Sequence, residues 1–190
     1  MRTSDDVDAG TAGTDRRLAV MSSALVTFAR FGYRKTSMDQ VAQAANISRP
    51  GLYFLFASKE ELFRAAVTQT LEQDLLDVER ILTTNSEALA VRLLESFDCW
   101  SGRYTGPTAR DITLVIDDNP GLLGDVIVTA PERFAELVVA SITAEPHGSR
   151  DRAEAIAQTM ISASIGIKHQ ADDRADYLAR MKIAIDVLLR

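Results

Sequence analysis

Between Ser37 and Phe56 the chain carries two helix-starting signals separated by one helix-stopping signal, which confines the segment to two short helices joined by a tight turn. Ser37 can accept a backbone N–H as the N-cap, and Gln40 stands three residues on, the capping-box spacing. Met38, Val41, Ala42 and Ala45 then fall on one face at helical spacing. Asn46 suits the left-handed conformation that ends a helix, and Ile47 can plug the turn. Ser48 can cap the second helix, with Pro50 in its first turn, where a missing N–H costs nothing. Leu52 and Phe56, four residues apart, would face inward, which leaves Arg49, Gly51, Tyr53 and Phe54 outside.

Arginine, glycine and aromatics make an odd surface for contact with water alone. They suit a helix that enters the major groove of a duplex, where arginine reads guanine and small residues let the backbone approach. Charge points the same way. The whole chain carries −6, yet residues 16–64 hold eight basic groups against three acids. A small basic head on an acidic body can bind phosphates by one end, releasing counterions, while the body repels DNA from the wrong faces.

Residues from about Arg17 to Val67 resemble the DNA-binding domain of TetR-family transcriptional regulators. The residues that carry the resemblance, in order, are Phe31-Gly32-Tyr33, Thr36-Ser37, Val41-Ala42, Ile47-Ser48, Leu52-Tyr53-Phe54 and Ser58-Lys59-Glu60-Glu61-Leu62. The resemblance implies phosphate contacts from Thr36, Tyr53 and Lys59, with Ser37 close to the backbone. It assigns base reading to Ser48, Arg49, Pro50 and Gly51, and packing of Phe54 on the sugar-phosphate chain. Leu55 departs from the pattern, since a polar residue is common there. By the same resemblance the fold class is all-α. A three-helix helix-turn-helix domain would be joined by a long helix to a C-terminal helical ligand-binding and dimerisation domain, about nine helices in total. The partners implied are palindromic operator DNA, a small-molecule ligand of unknown identity and a second copy of the chain, with no cofactor.

The domain boundaries expected are a disordered tail over residues 1–14, a DNA-binding domain over 15–64 (motif 37–56) and a helical body over 65–190. The tail reads as disordered from its Gly, Ser, Thr and Asp content, and it lacks the apolar core of a signal peptide. No apolar run is long enough to span a membrane, and the single cysteine, Cys99, precludes an intrachain disulfide, so a cytoplasmic location is expected.

In the body, helices are predicted from Ser58 to about Leu82, from Ser86 to about Gly102, from Gly106-Pro107 to Asp118, from Pro131 to about Ala144, from Asp151 to about Gln170 and from Asp172 to Leu189. A short apolar segment, Leu122 to Val128, precedes Pro131. Phe97, Trp100, Tyr104, Phe134 and Met160 are candidates for a ligand pocket, because aromatic and sulfur-bearing side chains line such sites. An aromatic cluster at helical spacing equally fits ordinary core. Ile156, Met160, Ser164 and Ile167 form one stripe and Tyr177, Met181, Ile185 and Leu188 another, which either meet a second chain or cover their own core. Operator geometry favours the first, since two-fold dimers place two recognition helices about 34–36 Å apart. Catalysis is not expected: adjacent acids such as Asp117-Asp118 diverge on a helix, and His147 and His169 stand near no nucleophile. The alternative to a regulator is a helical protein-interaction module whose helix-turn-helix no longer binds DNA.

Overall fold

The computed structural model describes residues 4–84, 87–106, 113–146 and 149–190, with side chains described from residue 13 onward. Among the described residues every regular element is helical. The α-helices are α1 (Ser4–Phe31), α2 (Met38–Ala44), α3 (Arg49–Leu55), α4 (Lys59–Thr83), α5 (Leu89–Trp100), α6 (Val126–Thr143), α7 (Arg150–Gln170) and α8 (Arg174–Leu188). Tight 3-10 turns occupy Gly102–Tyr104 and Pro120–Leu122, and residues 113–117 form a short helical stretch. Of these, α1 departs from expectation: it is helical from Ser4, within the tail predicted to be disordered. No proline interrupts the run from Ser4 to Phe31, so a helix nucleated by its packed C-terminal half can propagate backward, one hydrogen bond per residue fixed.

Two compact units result, Met1–Gln69 with Asp111–Gly124, and Thr70–Arg110 with Asp125–Arg190. The boundary falls inside α4 after Gln69 rather than after residue 64, because Ala66 and Val67 are still buried with the first unit. The return of residues 111–124 to that unit has no sequence signal. Part of its basis is Arg64, whose Nε donates to the Leu122 carbonyl at 2.7 Å.

In the first unit Val20, Ala24 and Phe28 of α1, four apart, are buried. The other buried apolar side chains of this unit include Met38, Val41 and Ala42 of α2, Leu52 and Phe56 of the α3 segment, and Leu62 and Phe63 of α4. Phe28 stands edge-on to Phe63 at 5.3 Å, and the Tyr33 ring lies 5.6 Å from the first and 4.9 Å from the second. The three rings, one pair edge-on and two pairs tilted, bring three separate segments around one point.

The second unit is built on Leu75, Val78 and Leu82 of α4, Leu93 and Phe97 of α5, Phe134, Val138 and Ile142 of α6, Met160 of α7, and Tyr177, Met181 and Ile185 of α8. The predicted break after Leu82 is real, with α4 ending at Thr83; Ser86, expected to cap the next helix, lies outside the described residues, and α5 starts at Leu89. Residues 107–112 of the predicted 107–118 helix also lie outside them. Pro131 does not start α6 but sits inside it. Ala130, Phe134, Val138 and Ile142 form a continuous buried stripe, and packing of that stripe outweighs the one hydrogen bond the proline removes. Ser149 caps α7, which starts at Arg150, and Asp173 caps α8.

Two sets of expected site residues lie largely in the interior of this unit. Phe97, Phe134 and Met160 are fully buried, with Phe97 edge-on to Phe134 at 5.2 Å and Trp100 stacked on Phe134 at 4.9 Å. These rings pack against one another within the core of the second unit. The Tyr104 hydroxyl is likewise engaged, donating to Asp74 Oδ2 at 2.6 Å. A surface concavity of about 330 Å³ opens elsewhere, among Leu89, Ile142, Pro146, Ser149, Arg152 and Leu189. The stripes expected to meet a second chain also turn inward. Met160, Ser164, Tyr177, Met181 and Ile185 are buried in their own unit, and the Tyr177 and Ser164 hydroxyls bond at 2.7 Å. Ile156, Ile167 and Leu188 are half-buried against the same core. Their spacing is that of any amphipathic helix, and the chain's own core claims that face first. The apolar side chains left exposed are Ile165 on α7 and Ile183 and Val187 on α8.

Candidate nucleic-acid interface

The site is assembled from α2, the turn and α3. Ser37 accepts the Gln40 N–H while the Gln40 side chain takes the Ser37 N–H, so the capping box closes in full. At the far end Asn46 adopts φ 52°, and two bonds close the turn: Ile47 N to Ala42 O at 3.0 Å and Asn46 N to Gln43 O at 3.1 Å. That is the Schellman pattern, which satisfies the last carbonyls of α2 and turns the chain sharply into α3. Ser48 Oγ accepts the Gly51 N–H at 3.2 Å, capping α3.

Burial then fixes which way α3 faces. Leu52 is 0% exposed and Phe56 1%, so both point into the core, whereas Phe54 is 90% exposed and Tyr53 42%. Arg49 is also exposed; its Nη1 lies 3.2 Å from Asp39 Oδ2 on α2, and its guanidinium stands 5.7 Å from the Tyr53 ring. Pro50 is exposed and Gly51 half-exposed.

The loop before α2 differs from expectation. Thr36, expected at a phosphate, is 1% exposed, and its Oγ1 donates to Gly32 O at 2.9 Å. Gly32 supplies the positive φ of 79° that turns the chain after α1, and the turned-in Thr36 must satisfy its hydroxyl locally. Lys59 closes the same loop: its Nζ donates to Tyr33 O at 2.9 Å and Thr36 O at 3.0 Å, and sits 4.4 Å from the Tyr33 ring centre. Two of its three donors are therefore used within the protein. Ser37 stays exposed at the start of α2.

Arg17 was not singled out by the sequence. It donates to the Leu55 carbonyl at the end of α3, lies 4.0 Å over the Phe56 ring and approaches Glu61 at 3.9 Å. Leu55 thus takes part through its backbone, and its side chain is half-buried. Glu61 in turn accepts the Ala57 N–H at 2.9 Å while donating its own N–H to Ser58 Oγ at 3.0 Å, which caps α4. A paired Arg-Arg in the sequence was the only available hint, and adjacency could not say which one folds inward.

Comparison with known proteins agrees with this geometry. The family described as "Bacterial regulatory proteins, tetR family" matches residues 20–66. The HTH-type transcriptional regulator RutR of Escherichia coli is 39% identical over 57 residues, 30% of this chain and 27% of RutR. The uncharacterized HTH-type regulator YhgD of Bacillus subtilis is 39% identical over 59 residues, 31% of each chain. The chain thus matches less than a third of the length of these curated relatives. In fold the similarity extends further. A crystal structure assigned to the TetR family, from Mesorhizobium loti, superposes with a TM-score of 0.72 at 17% identity, over 93% of this chain and 96% of that one. Residues 20–66 thus match the tetR family of bacterial regulatory proteins, and the chain shares the all-helical fold of that structure.

Proposed function

We propose that the protein is a sequence-specific DNA-binding transcriptional regulator, acting as a homodimer and as a repressor released from its operator by a small molecule held in the second unit. The observation that carries the DNA-binding reading is the partition of α3: Leu52 is completely buried while Phe54, two residues on, is 90% exposed beside Arg49 and Tyr53. In this reading Ser48, Arg49, Pro50 and Gly51 face base edges, while Ser37, Tyr53, Phe54 and the remaining donor of Lys59 face the backbone. Thr36 serves the fold instead.

Dimerisation is assigned to the outer side of α7 and α8, where Ile165, Ile183 and Val187 are each more than half exposed. Two-fold pairing would set two recognition helices on one palindrome. For the ligand, the supporting observation is a polar network between α4 and the turn after α5. The buried Asp74 accepts from Tyr104 and, at 3.2 Å, from Arg103. A ligand that exchanges those bonds binds one packing of the unit better than another, which is what release requires. The relatives' names describe regulators and no enzyme, and no catalytic role is proposed.

Fluorescence anisotropy with the duplex upstream of the protein's own coding region tests the reading. Selective binding that weakens steeply with salt is expected. Binding indifferent to sequence and salt would return the chain to the class of protein-interaction modules.

A further inference from the structure

Arg16 and Arg17 are neighbours on α1, but only Arg17 is bound up in the fold. Arg17 donates to the Leu55 carbonyl and covers the Phe56 ring. Arg16 is exposed, and among the described residues no carboxylate or carbonyl is paired with it. Its guanidinium is nonetheless placed. A Cβ built on Gly51 would lie 3.7 Å from Arg16 Nη2 and 3.0 Å from Ser48 Oγ. The space beside α3 that a side chain at position 51 would enter is therefore shared by the cap of the helix and a cation from another helix.

The register of α3 gives this a direction. At about 100° per residue, positions 51 and 53 flank the exposed edge of the helix on opposite sides, with Leu52 pointing to the core. Arg49 leans over Tyr53 toward Asp39 on one flank. Arg16 occupies the other, beside Gly51. A guanidinium is charged at any pH the protein meets and carries five donors, so an unpaired one at this surface is a ready contact.

We infer that Arg16 is a second reading residue: α1 supplies the side chain that Gly51 lacks, and Arg16 contacts a base edge in the same groove as Arg49. Guanine is the base whose O6 and N7 suit a guanidinium. The assignment rests on the DNA-binding reading above, and its test separates the two. The wild-type chain first selects a duplex from a random-sequence pool. Wild type, Arg16→Ala and Arg16→Lys are then titrated against the selected duplex, its single-base-pair variants and an unrelated duplex.

Arg16→Ala should weaken the selected duplex about 5- to 150-fold. Discrimination should vanish at one base pair per half-site and persist at the pairs that depend on Arg49. Arg16→Lys should recover binding to the unrelated duplex but not the lost discrimination. Thermal unfolding of both variants should match wild type, because Arg16 has no partner to lose among the described residues. Wild-type affinity in Arg16→Ala, or an equal loss on every sequence, overturns the base-reading role and leaves the DNA-binding reading standing. A wild-type chain that selects no sequence overturns both.

Discussion

Arg49 on α3 is tethered to Asp39 on α2, Nη1 to Oδ2 at 3.2 Å, with both side chains more than half exposed. An ion pair this wet contributes little to stability, about 0–1 kcal/mol. Its effect is on position: it holds the guanidinium at the exposed edge of α3. Asp39→Ala should leave the melting temperature nearly unchanged and alter the order in which base-pair variants are preferred. Arg49→Ala should cost roughly 1–3 kcal/mol at one base position. An unaltered preference order in Asp39→Ala, measured by anisotropy across operator variants, would show that the pair does not position Arg49.

Phe54 and Leu52 differ most in exposure within one turn of α3. Phe54 is 90% exposed, so Phe54→Ala should change stability by no more than about 0.5 kcal/mol while weakening DNA binding. Leu52 is 0% exposed, and Leu52→Ala leaves a cavity costing about 2–5 kcal/mol. Urea unfolding and anisotropy on the same samples check both. A strongly destabilised Phe54→Ala would place that ring in the core.

Asp74 gives the second unit an unusual pH dependence. Burial raises its pKa, and the Tyr104 hydrogen bond and Arg103 only partly oppose this. The folded state then holds the proton more tightly than the unfolded state. The contribution of this group is most favourable below the unfolded carboxylate range and is lost as pH rises through the raised folded value. Asp74→Asn removes the titration. Its stability relative to wild type should therefore improve as pH climbs through that window, read as the difference in urea midpoints. A difference that moves the other way would mean that the two partners stabilise the carboxylate by more than burial costs it.

The exposed side of α7 and α8 carries the dimer prediction. Ile183 is 64% exposed, so Ile183→Glu introduces a charge where the isolated chain has only solvent. The variant should sediment as a monomer at micromolar concentration and keep its helical circular dichroism. A dimer that persists unchanged would move the interface elsewhere.

What the sequence determined was local. The caps at Ser37 and Ser48, the left-handed Asn46 and the inward pair Leu52 and Phe56 all follow from residue type and helical spacing, and all stand in the structure. Those signals act within one or two turns, where backbone hydrogen bonding leaves few choices. Tertiary structure decided the rest, because it concerns which groups meet across distance. Helical spacing shows that Tyr177 and Met181 share a face, but only packing shows that their own chain buries them. Thr36 turns inward because Gly32 lets the chain fold back. Adjacent arginines read alike in sequence, and the fold sends Arg17 to the Leu55 carbonyl while leaving Arg16 beside Gly51. A long side chain is committed only when a partner tens of residues away comes within hydrogen-bond reach, and no local pattern encodes that meeting.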